Sequence, residues 1–66
     1  MNDGARFPRL LTPSEASSLL RVTPGTMRRW RLDGHGPPVT TVGKMPRYDL
    51  SDLLRWLDDN RERYDD

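Results

Sequence analysis

Three arginines stand within four residues of this chain, at Arg28, Arg29 and Arg31. A guanidinium group can pair through two hydrogen bonds with the O6 and N7 atoms of guanine, and it can equally hold a phosphate. Two apolar residues, Met27 and Trp30, stand three positions apart among the arginines. On a helix this spacing puts the apolar pair on one side and Arg28 and Arg29 on the other. We therefore predict a helix whose basic outer face contacts DNA; the alternative is a basic face exposed only to solvent.

Two further residues, Thr26 and Arg31, lie at the edges of this basic face. Thr26 stands near the helix start, where a hydroxyl can meet a phosphate or a thymine methyl group, or can simply cap the helix. Arg31 turns back towards the core, where its aliphatic stem can pack along Trp30. We count both as candidate DNA contacts together with Arg28 and Arg29.

A capping box predicts where a first helix begins, ahead of the basic one. The Thr12 hydroxyl can accept a hydrogen bond from the Glu15 amide, and the Glu15 carboxylate can accept one from the Thr12 amide. Pro13 then occupies the first helical position, where a missing N–H has no cost. Ser17 and Ser18 are predicted to point outward. The apolar stripe consists of Ala16, Leu19 and Leu20.

The basic helix opens with the same Thr-Pro pair, at Thr23 and Pro24. Thr23 is the predicted N-cap and Pro24 the first helical residue. The helix should end near Asp33 and Gly34, because glycine is the usual residue after a helix C-terminus. Only two residues separate the two predicted helices, which is typical of a helix-turn-helix corner.

A small β-hairpin is predicted after the basic helix. The glycine- and proline-rich residues 34–38 should form a rigid connector, and the β-branched residues 39–42 a first short strand. A second strand follows, and Pro46 is predicted to restrict that strand to the edge of a sheet. The hairpin would form a wing carrying Lys44 and Arg47, which are candidate contacts to the minor groove or to phosphates. The alternative is a charged edge that only prevents strand pairing.

The last helix is predicted to span residues 51–63, with Ser51 as N-cap and Asp52 complementing the helix N-terminus. Its apolar face consists of Leu50, Leu53, Leu54, Trp56 and Leu57. Two tryptophans can also stack on bases. Their inward positions instead predict packing, so the large core residues are expected to be Met27, Trp30, Tyr48 and Trp56.

The composition of the 66-residue chain excludes several classes of protein. A core of this size usually supplies only about 3–5 kcal/mol of stability. The chain has no cysteine and one histidine, His35, so neither a disulfide nor a zinc finger can form. It has no glycine-rich phosphate loop and no histidine beside a nucleophile. It also has no apolar run long enough to span a membrane and no signal sequence. We therefore expect a soluble cytoplasmic module without enzymatic activity, cofactor, metal, small-molecule ligand or membrane partner.

The charge is polarised along the chain although the net charge is only +1. Residues 1–48 hold eight basic and three acidic side chains, a net charge of +5, whereas residues 49–66 hold three basic and seven acidic ones, a net charge of −4. Such asymmetry favours association with a polyanion, although charge can also serve solubility alone. We divide the chain into a flexible arm (1–9), a DNA-binding domain (10–60) and an acidic tail (61–66).

The order of these residues resembles a known family. Residues 11–34 read Leu-Thr-x-x-Glu-Ala-x-x-Leu-Leu-x-Val-Thr-x-x-Thr-Met-x-Arg-Trp-Arg-x-x-Gly. Gly-Pro-Pro follows at 36–38, Arg-Tyr at 47–48 and Ser-Asp-Leu-x-x-Trp-Leu at 51–57. Over about residues 10–58 the pattern resembles the small winged helix-turn-helix proteins of the excisionase and MerR-like type.

The resemblance implies a mainly α fold of three helices and a β-hairpin wing. It places the basic helix in the major groove and the wing on the adjacent minor groove. Carried over by position, Thr26, Arg28 and Arg29 would contact DNA from the helix and Arg47 from the wing. The chain departs from the family at Gly25, where a polar side chain is common, so recognition would depend more on the two arginines.

The resemblance also implies a role as an excisionase, or recombination directionality factor, of a phage or integrative element. In that role several copies bind neighbouring sites on double-stranded DNA and bend it, so that an integrase can assemble an excisive complex. MerR-type regulators usually append further domains; we expect no effector or dimerisation domain after residue 66, which favours the architectural role. The alternatives are a small MerR-like transcription regulator and, from another class, a protein-interaction adaptor that docks through residues 50–57.

Overall fold

The structure, a computed structural model, describes residues 9–61. The predicted fold class of three helices and a small wing is confirmed. Apart from Arg9 and Arg61, the predicted arm and acidic tail lie outside the described residues. The elements in chain order are β1 (Leu10–Leu11), α1 (Pro13–Leu20), α2 (Pro24–Asp33), β2 (Thr40–Val42), β3 (Met45–Asp49) and α3 (Leu50–Asp59).

Helix α1 begins with the predicted capping box. The Glu15 amide donates to the Thr12 hydroxyl at 3.1 Å, and the Thr12 amide donates to the Glu15 carboxylate at 2.9 Å. These two bonds satisfy backbone donors that a helix start would otherwise leave without a partner. The local sequence therefore fixes where α1 begins.

Removing this cap should be measurable in a domain with so small a core. Thr12→Ala is expected to lower the free energy of unfolding by about 1 kcal/mol, and the melting temperature by about 4–8 °C. Thermal melts followed by circular dichroism measure the change. The matched control is Ser18→Ala, because Ser18 is exposed on the same helix. Equal melting temperatures for the two variants would show that the capping box does not stabilise the domain.

The inner face of α1 differs from the predicted stripe. Ser17, predicted to point outward, is only 1% exposed, whereas Leu19 is exposed. At about 100° per residue, Ser17 lies on the same side as Ala16 and Leu20, and Leu19 lies beyond their edge. The buried Ser17 hydroxyl donates to the Ser14 carbonyl at 2.9 Å, so its burial leaves no hydroxyl without a partner.

The corner between α1 and α2 has the predicted length. Arg21 ends α1 in the left-handed conformation, with φ 61°. Its amide donates to the Ser18 carbonyl at 3.1 Å, and the Val22 amide donates to the Ser17 carbonyl at 3.0 Å. Thr23 then caps α2, as predicted, by accepting from the Thr26 amide at 3.1 Å. Only Arg21 and Val22 thus separate the end of α1 from the N-cap of α2.

Three antiparallel strands form the sheet, in the order β1-β3-β2. Strand β1 was not predicted; it pairs Leu10 with Asp49 and Leu11 with Tyr48. The prediction that Pro46 lies on an edge strand is therefore wrong, because β3 is central. Since β1 reaches only Tyr48 and Asp49, Pro46 has a strand partner on one side alone, opposite Thr41 of β2. Its missing N–H thus removes no hydrogen bond to β1.

Helix α3 begins earlier and ends earlier than predicted. Its N-cap is Asp49 rather than Ser51: the Asp49 carboxylate accepts from the Asp52 amide at 3.3 Å and from the Ser51 hydroxyl. A carboxylate is a strong N-cap, and here it follows directly from β3. The helix ends at Asp59, where the Asn60 side-chain amide donates to the Trp56 carbonyl at 2.8 Å. The predicted end at residue 63 is therefore wrong.

The core lies where α1, α2, β3 and α3 meet. Tyr48 and Met27 are buried, as predicted. Trp30 and Trp56 are only half-buried, and their ring centroids lie 5.7 Å apart with the planes tilted by 46°. This distance is typical of a favourable aromatic pair. Among residues 9–61, the buried core cluster consists of Ala16, Met27, Tyr48 and Leu53.

The connector after α2 is shaped by glycine. Gly34 ends α2 with φ 78°, as predicted, and Gly36 follows with φ 85°. A Cβ atom added to Gly36 would lie 3.0 Å from the Trp30 Cβ atom. The backbone therefore passes directly against Trp30, and only glycine combines this conformation with this approach.

The apolar face of α3 is wider than the surface it buries. Leu53 is fully buried, whereas Leu54 and Leu57 are exposed, although all three were predicted to be on the inner face. The small size of the domain leaves no further element to cover this side within residues 9–61. No helix in that range combines the length and the apolar character that crossing a membrane requires.

Candidate nucleic-acid interface

The outer face of α2 carries the two main candidate residues, Arg28 and Arg29. Both are exposed, whereas Met27 is buried and Trp30 half-buried on the opposite side. At about 100° per residue, Gly25 lies opposite Met27 and Trp30, on the line along the helix that is furthest from the core, which we call the outermost line of α2. Arg28 lies on one side of this line and Arg29 on the other. The structure therefore brings the two guanidinium groups to one exposed face, as the spacing predicts.

No carboxylate in the described part of the chain occupies these arginines. The one ion pair among residues 9–61 joins Arg61 to Asp58 at 3.3 Å, and both partners are exposed. The acidic residue of α2 itself, Asp33, does not reach Arg29 within ion-pair distance. Arg28 and Arg29 are therefore available to an external anion, and binding one would break no described ion pair.

The hydroxyl of Thr26 takes part in the cap of α2. It lies 2.9 Å from the Thr23 hydroxyl, and the Thr26 amide donates to that same hydroxyl. Thr26 is also half-buried. This geometry supports the capping role that the sequence left open. A hydroxyl has one donor and two acceptor sites, so a contact to a phosphate stays a prediction.

Arg31 lies apart from Arg28 and Arg29. It is half-buried on the side of α2 that faces α3, where it lines a groove of about 320 Å³ together with His35 and Trp56. The helix period places it roughly 120° from the outermost line of α2. A DNA contact from Arg31 stays a prediction, and it would come from a different surface than the one that carries the arginine pair.

The wing, residues 40–49, carries the other two candidates. Lys44 is exposed in the turn between β2 and β3, which Gly43 opens with φ 65°. Arg47 is half-buried: its Nη1 donates to the Pro46 carbonyl at 2.7 Å, and its Nη2 lies 3.7 Å from the Met45 sulfur. The wing therefore presents one exposed cation, Lys44, and a second cation, Arg47, that is bonded to its own strand.

Both surfaces also carry exposed apolar residues that were not predicted from the sequence. Leu32 is 67% exposed and lies beside Gly25 on the outermost line of α2, between the directions of Arg28 and Arg29. The helix period was the signal that would have found it. Val42 and Met45 are exposed at the end of the wing; their pairing depends on a strand register that composition does not reveal.

A family described as a helix-turn-helix domain matches residues 10–61, which is most of the chain. The chain belongs to this helix-turn-helix domain family. No curated protein and no solved structure matches it significantly. Membership of the family supports binding to double-stranded DNA. In a helix-turn-helix domain the second helix enters the major groove, and here that helix is α2.

Membership of the family makes α2 the candidate recognition helix. A recognition helix must present side chains that reach base edges, and most of its contacts usually go to phosphates. Arg28 and Arg29 have the exposure and the chemistry for both kinds of contact. The helix-turn-helix corner holds them in place because Met27 fixes the rotation of α2 against the core.

Proposed function

We propose that this helix-turn-helix protein is a DNA-binding architectural accessory factor of the excisionase type. It binds and bends attachment-site DNA, and the bend directs an integrase towards excision of a phage or integrative element. The observation that carries the DNA-binding part is the exposed pair Arg28 and Arg29 on the second helix of the corner. The choice of excision rests on the resemblance of the ordered residues to excisionases, which is an argument from analogy.

The distribution of charge favours assembly of several copies on adjacent sites. The acidic residues Asp58 and Asp59 are exposed at the end of α3, whereas Arg9 and Arg21, which are exposed cations outside the arginine pair of α2, lie in the basic part of the chain. Neighbouring copies on one duplex could place the acidic helix of one against a basic surface of the next. Such complementarity supplies attraction between copies in addition to their attraction to DNA.

Reversing the acidic charges should separate cooperativity from DNA affinity. Asp58→Lys/Asp59→Lys is expected to abolish cooperative binding to a duplex with two adjacent sites, a coupling typically of about 5–150-fold. Titrations of one-site and two-site duplexes measure the coupling. Binding of the variant to the one-site duplex is the internal control, because added positive charge strengthens binding to any duplex. Unchanged coupling would show that the copies do not associate through these residues.

The excision role is tested with the integrase and attachment sites of the element that encodes the protein. Adding the protein to integrase and joined attachment sites should increase the excised product, and the Arg28→Ala/Arg29→Ala variant should not. A small MerR-like transcription regulator would contact DNA through the same helix, so binding alone does not distinguish the two. Binding at a promoter without any effect on excision would support the regulator instead.

A protein-interaction adaptor is the second candidate, and one observation favours it. Leu54 and Leu57 are exposed on α3, on the side that the core leaves uncovered. An apolar helix face of this kind can lie in the groove of a partner. An adaptor would show no affinity for duplex DNA. The excisionase proposal requires affinity for duplex DNA, and this affinity should fall as the salt concentration rises.

A further inference from the structure

The end of the wing is apolar and exposed. Strands β2 and β3 pair last at Val42 and Met45, just before the turn through Gly43 and Lys44. Val42 is 42% exposed and Met45 is 52% exposed, and neither belongs to the buried core. We call these four residues, 42–45, the wing tip. Its two large apolar side chains are thus left open by the fold of residues 9–61.

The strand register places cations around this apolar pair. Met45 and Arg47 are two residues apart, so they lie on one face of β3, and their partners Val42 and Thr40 lie on the same face of the sheet. The Arg47 guanidinium group lies against the Met45 sulfur, at 3.7 Å, and Lys44 occupies the turn itself. Residues 39–47 contain these two cations and no acidic residue.

This combination fits one ligand better than others. An apolar pair flanked by cations matches a polyanion with an apolar interior, which describes the phosphate backbone and stacked bases of duplex DNA. Proteins that bind the minor groove often insert Met, Leu, Ile or Phe between base pairs and so kink the duplex. A purely apolar protein surface would instead leave Lys44 and Arg47 without anionic partners.

We propose that the wing tip acts as a wedge: Met45, supported by Val42, enters the minor groove and partly unstacks one base step. Lys44 and Arg47 hold the phosphates on either side. Pyrimidine–purine steps such as TA and CA/TG unstack most easily, so the affected step should be one of these. The proposal rests on the proposed function and explains how a domain of this size could bend attachment-site DNA.

The test uses a duplex that the wild-type protein selects from a random library. 2-Aminopurine placed at successive positions becomes more fluorescent where a base unstacks, and energy transfer between the two ends of the duplex measures the bend. The wild-type protein is expected to raise the fluorescence at one step only. Met45→Leu, which stays apolar, should retain both signals. Met45→Gln, which keeps the length but is polar, should lose the fluorescence increase and reduce the bend by roughly 20° or more.

The outcomes separate this proposal from the proposed function. If the wild-type protein binds the duplex but no position gains fluorescence, or if Met45→Gln behaves as the wild type does, the wedge is disproved and DNA binding is retained. If the wild-type protein binds no duplex, both fail. If Met45→Gln does not fold, Val42→Thr provides a second variant, because threonine is nearly isosteric with valine but polar. Val42→Thr should weaken the fluorescence increase. An unchanged fluorescence increase would count against the wedge.

Discussion

Replacing Arg28 and Arg29 together with alanine is expected to weaken binding to the protein's preferred duplex by at least about 30-fold. Each arginine that pairs with guanine contributes roughly 1–3 kcal/mol, and a factor of ten corresponds to about 1.4 kcal/mol. If the two residues hold phosphates instead, their loss should make the slope of log K against log salt concentration shallower by about 0.9 for each lost contact. Both side chains are exposed, and alanine favours helix, so the fold should be retained.

A matched variant distinguishes a loss of affinity caused by the recognition helix from one caused by the lower overall charge. Arg55→Ala/Arg61→Ala removes the same two positive charges from α3 and the residue that follows its cap, and both residues are exposed. Fluorescence anisotropy with one labelled duplex should show this control binding nearly as tightly as the wild type. If the two double variants lose affinity equally, binding depends on net charge and α2 has no special role.

Truncation of Tyr48 is expected to have the second large effect, on the free energy of unfolding. Tyr48→Ala is expected to leave the domain largely unfolded at 25 °C. Among residues 9–61, Tyr48 is the largest fully buried side chain, and it lies on the central strand beside β1. Truncating a buried aromatic residue usually costs about 3–5 kcal/mol, which is the whole stability that a domain of this size usually has.

Tyr48→Phe is the control, because it keeps the ring and removes only the hydroxyl. Urea titrations followed by circular dichroism should show a cooperative transition for Tyr48→Phe and little folded protein for Tyr48→Ala. A Tyr48→Ala midpoint close to that of the wild type would mean that the ring does not support the core.

Local signals predicted the parts of the fold that depend on near neighbours. The capping box at Thr12, the Thr-Pro start at Thr23 and the glycine stop at Gly34 are each specified by a few consecutive residues, and each is confirmed. Strand β1 was missed because two residues carry no periodic signal, and Leu10 becomes a strand only through pairing with Asp49. The cap of α3 was misplaced because Asp49 is both the last strand residue and the N-cap.

The same limit applies to the candidate site. The spacing of Met27 and Trp30 sufficed to predict which way Arg28 and Arg29 point, because one helix period relates all four residues. Burial of Ser17 in place of Leu19 depended on the shape of the neighbouring elements, which composition does not give. In the wing, only the cations Lys44 and Arg47 were predicted as contacts. The apolar pair at its tip could not be predicted, because the pairing of Val42 with Met45 depends on the register of β2 and β3.

The most direct test of the DNA-binding function is the affinity of the wild-type protein for duplex DNA across a salt series. If Arg28, Arg29, Lys44 and Arg47 all contact phosphates, log K should fall linearly with log salt concentration, with a slope of about −3.6. Fluorescence anisotropy from low to physiological salt measures this slope. Absence of binding even at low salt would contradict the DNA-binding function and would direct the search to a protein partner for α3.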